Sequence, residues 1–215
     1  MLTKETLIGE NAMSHDDKVA YFEQLLKQTN REGVDKVIDF VRRTDFYTAP
    51  ASAKYHSNYD GGLLDHSLMV YTCATELYSL MSRIDPEISL KISTENVIIA
   101  ALLHDICKTC FYRKTLKWTK NEFNEYVSYD GYEIEDTFPI GHGEKSIIML
   151  QNIGLSLDPC EMLAIRYHMG YWGESNFEFK ATLTNAIKMC PLVVLLQEAD
   201  FMASTILERE VLPPK

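Results

Sequence analysis

Apolar residues return at helical spacing along most of this chain, the period that lines one face of an α-helix. Val19, Phe22, Leu25 and Leu26 carry it between Asp16 and Thr29, behind a capping serine at Ser14. A second helix is predicted from Val34 to Asp45. The stretch over residues 47–62 is rich in Ala, Tyr and Ser and ends on Gly61-Gly62, a pair that interrupts helix. Five further helices are predicted beyond it. Between Phe111 and Thr137 the period changes: Phe111, Tyr112, Trp118, Phe123, Tyr126, Val127, Tyr129, Tyr132 and Ile134 alternate with polar residues. Asn121-Glu122 and Asp130-Gly131 supply turn chemistry, so the segment reads as a small β-hairpin inserted into an otherwise helical domain. Such an insertion either carries substrate contacts or covers the core.

The composition, 46% hydrophobic and 24% charged over 215 residues, is that of one ordinary globular domain with a continuous core. No apolar run reaches the length of a membrane span, and the first residues lack the apolar stretch of a signal peptide. A cytoplasmic protein without membrane association is therefore expected. Five scattered cysteines, Cys73, Cys107, Cys110, Cys160 and Cys190, point to the same reducing compartment. The net charge of -10 argues against a stable nucleic-acid partner held by general electrostatics. Lys108, Arg113, Lys114, Lys117 and Lys120 supply cations locally, and a bound metal reverses the field inside a single cleft.

Several polar residues stand on the predicted apolar faces, where packing does not explain them. His66 shares a face with Val70, Cys73, Leu77 and Met81, and His104, Asp105 and Lys108 fall in one arc with Val97 and Ala101. His142 precedes Ser146 and Met149, His168 follows Ala164, and Asp200 sits with Leu196, Ala203 and Leu207. One inward histidine is ordinary. Five segments that each turn an imidazole or carboxylate inward form the ligand set that first-row metals prefer. Asp105 adds weight, because an aspartate is almost never buried without a partner. Cys107-x-x-Cys110 overlaps the His-Asp segment and lacks the βαβ setting of a redox motif, so Cys107 is read as packing.

Leu63-Leu-Asp-His66-Ser-Leu, Ala100-Ala-Leu-Leu-His104-Asp105-Ile-Cys-Lys108 and Glu198-Ala-Asp200 resemble the successive motifs of HD-domain metal-dependent phosphohydrolases. The run from Ala49-Pro-Ala-Ser through Tyr55-His56 to Gly61-Gly62-Leu63-Leu64-Asp65-His66 is similar to bacterial 3′–5′ exoribonucleases and relaxase-linked HD proteins. Gly141-His142-Gly143-Glu144 and Ile165-Arg-Tyr-His168-Met-Gly170 resemble the extra histidine motifs of the six-ligand branch. Met169 is a departure, since the exonuclease relatives often carry a second histidine there. Gly170-Tyr171-Trp172 also departs from the Gly-Tyr-Pro of cyclic-di-nucleotide phosphodiesterases. The residues before the first motif look helical and too short for the OB-type module of the exonucleases.

The resemblance implies an all-α HD-type helical bundle with a small inserted β-hairpin around 111–137. Residues 1–48 would be N-terminal helices packed on a metal-binding domain over 49–215, in one continuous domain. It implies a divalent metal, two ions being expected, with Mn, Fe, Mg, Ni, Co and Zn not distinguished. His66, His104, Asp105 and Asp200 would hold one ion, and His142 and His168 would complete a second site sharing Asp105. The implied reaction is hydrolysis of a phosphomono- or phosphodiester of a nucleotide, dinucleotide or short oligonucleotide by metal-activated hydroxide. Asp105 and Lys108 would be catalytic, Lys108 reaching the substrate phosphate. His56, Lys145 and Arg113 are further candidate substrate contacts, His56 also as a leaving-group acid, and Glu144 is a candidate orienting carboxylate. An HD-type dinuclear iron oxygenase and a non-catalytic metal-stabilised binding domain share the ligand set; Lys108 and the flanking motifs favour hydrolysis.

Overall fold

The computed structural model describes residues 3–9, 12–172 and 176–208, and several of its helices begin where a short polar side chain takes up free backbone N–H groups. α1 (Lys4–Ile8) is capped by Thr3 and α2 (His15–Gln28) by Ser14, whose oxygen accepts from the Asp17 N–H. α3 spans Val34–Arg43, two residues short of its predicted end. α4 (Gly62–Ile84), the short α5 (Ile88–Lys91) and α6 (Thr94–Leu103) follow. Ser93 and Asn96 form a reciprocal capping box at the start of α6. After the hairpin come α7 (His142–Ile153), α8 (Pro159–Tyr167), α9 (Phe177–Met189) and α10 (Pro191–Met202). A π-helical turn, Ala203–Leu207, continues α10.

α4 packs against α6 and α10, α8 lies on α10, and α7 lies on α8. One apolar cluster joins them, and it includes Leu7, Phe22, Leu26, Val37, Val41 and Phe46 from the N-terminal helices. Only the first half of α4 is buried, from Gly62 to Val70 with Cys73 and Ala74. Its entry depends on the glycine pair. Gly61 sits at φ 87°, and a Cβ on Gly62 would meet the Ser57 carbonyl at 2.0 Å. The loop before α4 is thereby pressed against the helix start, which places His56 beside His66.

Two buried ion pairs tie the helices together. Lys18 of α2 bonds both oxygens of Asp65, at 2.9 and 3.0 Å, and the Tyr59 hydroxyl donates to the same carboxylate. Glu161, wholly buried at the start of α8, accepts from Arg31 through two parallel bonds of 2.7 and 2.8 Å. It also accepts from the Asn96 amide of α6 and from the Asp158 backbone N–H.

The inserted hairpin is present as β1 (Tyr112–Lys120) and β2 (Tyr126–Ile134), paired antiparallel from Tyr112↔Ile134 to Lys120↔Tyr126. Its turn runs over residues 121–125, with the Asn121 side chain accepting from the Phe123 and Glu125 N–H groups. Asp130-Gly131 is not a turn. It lies within β2 opposite Leu116 and Thr115, where the missing Gly131 side chain leaves room for the stem of Lys117. The cysteines also depart from the expectation set by their count, because Cys160 and Cys190 form a disulfide with Cα atoms 5.8 Å apart. They are 30 residues apart in sequence, and only the packing of α8 and α9 onto α10 brings them together. No single helix among the described residues is long and apolar enough to cross a membrane.

Glu161→Ala removes the acceptor shared by the half-buried Arg31 guanidinium and Asn96 amide. The expected loss of stability is about 3–5 kcal/mol, measured by urea denaturation.

Candidate metal centre

Three of the six sequence-predicted ligands stand at helix ends. His104 is the C-cap of α6, and Asp105 leaves helical geometry at φ -108°, ψ 20°, before the 3-10 turn Ile106–Lys108. The His-Asp pair therefore does not lie inside a helix, as the apolar run suggested. His168 is likewise the C-cap of α8, and His142 is the first residue of α7. His66 and Asp200 lie inside helices, α4 and α10.

These positions decide which imidazole nitrogen is offered to the centre. The last carbonyls of a helix have no intrahelical donor. His104 Nδ1 bonds the Ala101 carbonyl at 2.9 Å, and His168 Nδ1 bonds the Ile165 carbonyl at 2.7 Å. A carbonyl only accepts, so both Nδ1 atoms carry a proton and both Nε2 atoms face inward. His66 Nδ1 instead faces Glu208, at 2.9 and 3.2 Å from its two oxygens. Its Nε2 lies 3.3 Å from Asp200 and 3.6 Å from Asp105. Asp105 is also 3.4 Å from His104 Nε2 and 3.7 Å from His168 Nε2.

Five predicted ligands thus meet. The donor atoms of His66, His104 and Asp105 lie within 4.8 Å of one another, as do those of His104, His168 and Asp200. His66 Nε2, His104 Nε2 and Asp105 Oδ1 are buried with no hydrogen-bond partner. Orphaned polar atoms of this kind are costly in a protein interior unless something fills the space between them. Imidazole and carboxylate donors converging without partners fit a divalent cation.

His142 stands apart from these groups. Its Nδ1 is 3.8 Å from Cys107 Sγ and its ring packs edge-on to Phe111, although it lines the same cleft. Lys108 Nζ reaches Asp105 at 2.6 Å. Burial alone would raise the Asp105 carboxyl and lower the Lys108 ammonium. Their mutual attraction wins on both sides, holding Asp105 well below the usual carboxylate range and Lys108 above the usual lysine value. At His66 burial opposes protonation, but Glu208 and Asp200 outweigh it and raise the ring to about 10. His56, with its ring centroid 4.8 Å from that of His66, is pushed down to about 4 by burial and by the neighbouring His66 and Lys108. Both effects favour the neutral form of the ring. Burial drives the Cys107 thiol up to about 12, in keeping with a packing role.

The cleft over these residues has a volume of about 650 Å³. Besides the polar groups it is lined by Met169, Tyr171, Trp172 and Phe201, all exposed. Two suggested substrate contacts are not there. Arg113 sits on β1, paired with Glu133, and Lys145 is held by Asp136 at 2.6 Å over the Phe111 ring. The hairpin neither lines the cleft nor covers the core at its outer half, where Trp118, Phe123 and Tyr126 are exposed. Glu144 pairs with Arg166 at 2.6 Å. Glu208 escaped the sequence reading entirely, because eight residues after Asp200 a regular helix turns away from the Asp200 face.

A model of the HD domain matches residues 63–203, well over half of the chain. A dihydroneopterin 2′,3′-cyclic phosphate phosphodiesterase of Methanocaldococcus jannaschii is 28% identical over 87 residues, which cover 40% of this chain. The matched stretch is 31% of that relative's length. No solved structure matches the chain.

Free divalent ion at about one hundred times its dissociation constant is expected to stabilise the fold by about 2.7 kcal/mol. Differential scanning fluorimetry with Mn²⁺ reads this as a raised midpoint, and His104→Ala is expected to lose most of the response.

Proposed function

Because the chain belongs to the HD-domain family, we propose that it hydrolyses a phosphodiester attached to a planar heteroaromatic group, as in a nucleotide, a dinucleotide or the end of a short oligonucleotide. The observation that carries this reading is one cleft holding both kinds of recognition. His168 is followed within four residues by Tyr171 and Trp172, and Asp200 is followed at once by Phe201. The segments that supply ligands thus supply the apolar wall on which a flat ring can stack.

His66, His104, Asp105 and Asp200 would hold the first ion, and His142 with His168 would seat a second beside Asp105. A divalent ion, when bound, supplies a Lewis acid for a phosphoryl oxygen and activates water near neutral pH. The chain's own groups do the rest. The carbonyls of Ala101 and Ile165 preset His104 and His168, so these two rings need not reorganise. Lys108 is pinned on Asp105 with N–H groups to spare and lines the cleft. A fixed ammonium of this kind stabilises charge that accumulates on phosphate oxygens in the transition state. His56 Nε2, buried without a partner, is a hydrogen-bond contact for the substrate rather than a proton donor.

A diester suits the site better than a monoester, because Lys108 is the one lysine or arginine lining the cleft among the described residues. The relative named as a cyclic phosphate phosphodiesterase supports the same choice. A lysine lining the cleft also supports hydrolysis over oxygen chemistry at the same ligands.

Lys108→Met is expected to lower kcat by about 10²–10³-fold on a diester substrate, measured by product release over a panel of cyclic and linear nucleotides with Mn²⁺. Inactivity on the whole panel, together with iron-dependent oxygen consumption, would favour the oxygenase instead. By elemental analysis the protein is expected to hold two ions per chain and His142→Ala one; equal content in the two proteins contradicts the proposed second seat.

A further inference from the structure

The two histidines at helix ends fix their Nδ1 protons on carbonyls of their own helices. His66 has no such option. It lies in the second turn of α4, where the preceding carbonyls already serve the helix, so its Nδ1 needs an acceptor from elsewhere. Glu208 provides one. Its side chain is 4% exposed, and its second oxygen accepts from the Ser57 hydroxyl at 2.8 Å. The carboxylate is thus held between the loop before α4 and the end of α10.

The backbone between Asp200 and Glu208 explains how one helix supplies both groups. At about 100° per residue, eight residues of regular α-helix leave Glu208 roughly 80° away from the Asp200 face. The π-helical turn over Ala203–Leu207, closed by the Glu208 N–H on the Ala203 carbonyl at 2.9 Å, winds more slowly. With i→i+5 bonding each residue advances by roughly 80°, which returns Glu208 to within roughly 20° of Asp200. The outcome is a clamp, with Asp200 near one nitrogen of His66 and Glu208 on the other.

We infer that Glu208 is a positioning residue for the metal centre: it accepts the His66 Nδ1 proton, fixes the ring with Nε2 towards the ion, and is brought there by the π-helical turn. This rests on the metal reading above and adds to it a residue that follows the family match, which ends at 203. A carboxylate behind a ligating imidazole orients the ring and raises its basicity, and removing such a partner costs about 10–100-fold in metal affinity.

The test uses the full chain and Mn²⁺ alone, by isothermal titration calorimetry, with Glu208→Ala, Glu208→Gln and Ser57→Ala. Glu208→Ala is expected to bind Mn²⁺ about 10–100-fold more weakly. Glu208→Gln keeps an acceptor oxygen and is expected to stay much closer to the parent, and Ser57→Ala, which only loosens the carboxylate, to fall between them. A second readout needs no metal. In histidine-¹⁵N-labelled protein the His66 Nδ1–H is expected as a slowly exchanging, downfield proton signal that is kept in Glu208→Gln and lost in Glu208→Ala. Folded Glu208→Ala with parental affinity and an unchanged Nδ1–H signal overturns the inference, as does a Glu208→Gln protein as impaired as the alanine variant. If the parent protein binds no Mn²⁺, the metal reading fails by itself, and the Nδ1–H signal still decides whether Glu208 holds His66.

Discussion

An imidazole has two nitrogens, and a metal centre needs one of them free of its proton and aimed inward. Much of this structure follows from how that choice is made at His66, His104 and His168. Two of the three are settled by placing the residue where a helix runs out of donors, so that an orphan carbonyl becomes a partner for the ring. The third sits inside α4 and requires a carboxylate from another helix. Helix ends at α6 and α8 and an irregular end at α10 are therefore parts of the site, not defects beside it.

The surrounding fold keeps these ends in register. Burying Asp105 and Lys108 together costs desolvation that their contact offsets, and the pair would be unfavourable if either were removed alone. The same logic appears farther out. Glu161 joins Arg31, Asn96 and the start of α8, the helix whose other end carries His168. Asp65 precedes His66 directly and is anchored by Lys18 and Tyr59, so the first half of α4 is fixed by charge as well as by packing. Such networks add rigidity more than net stability, and rigidity is what converging ligands require.

Much of this was legible in the sequence, for reasons that particular residues make plain. Ser14 and the helical period gave α2 within a residue, and alternating aromatics gave the hairpin. His66, His104, Asp105, His168 and Asp200 were visible because each is polar in an apolar segment, and the structure brings these five together. What was hidden depended on backbone detail or distance. Periodicity cannot show that α6 ends at Leu103 and not beyond the His-Asp pair, since the apolar run continues through Ile106 and Cys107. A π-helical turn shifts the phase of everything after it, so Glu208 carried no signal. The Asp130-Gly131 turn failed because Gly also serves within a strand where a cross-strand lysine needs room, and the Cys160–Cys190 pairing depends on a packing that no local pattern records. Arg113 and Lys145 were drawn in by sequence proximity, whereas nearby acids hold both outside the cleft.

On the proposed reading, the Nε2 atoms and two aspartates share a divalent ion at the floor of an aromatic-walled cleft. Anomalous X-ray diffraction from crystals of the protein grown with Mn²⁺ addresses it without recourse to any substrate. A strong peak is expected, bonded to Nε2 of His66 and His104 and to Asp105 and Asp200, with Glu208 on the far side of the His66 ring. A peak bound through an Nδ1 atom, or ordered metal elsewhere with these donors left facing one another, would contradict it.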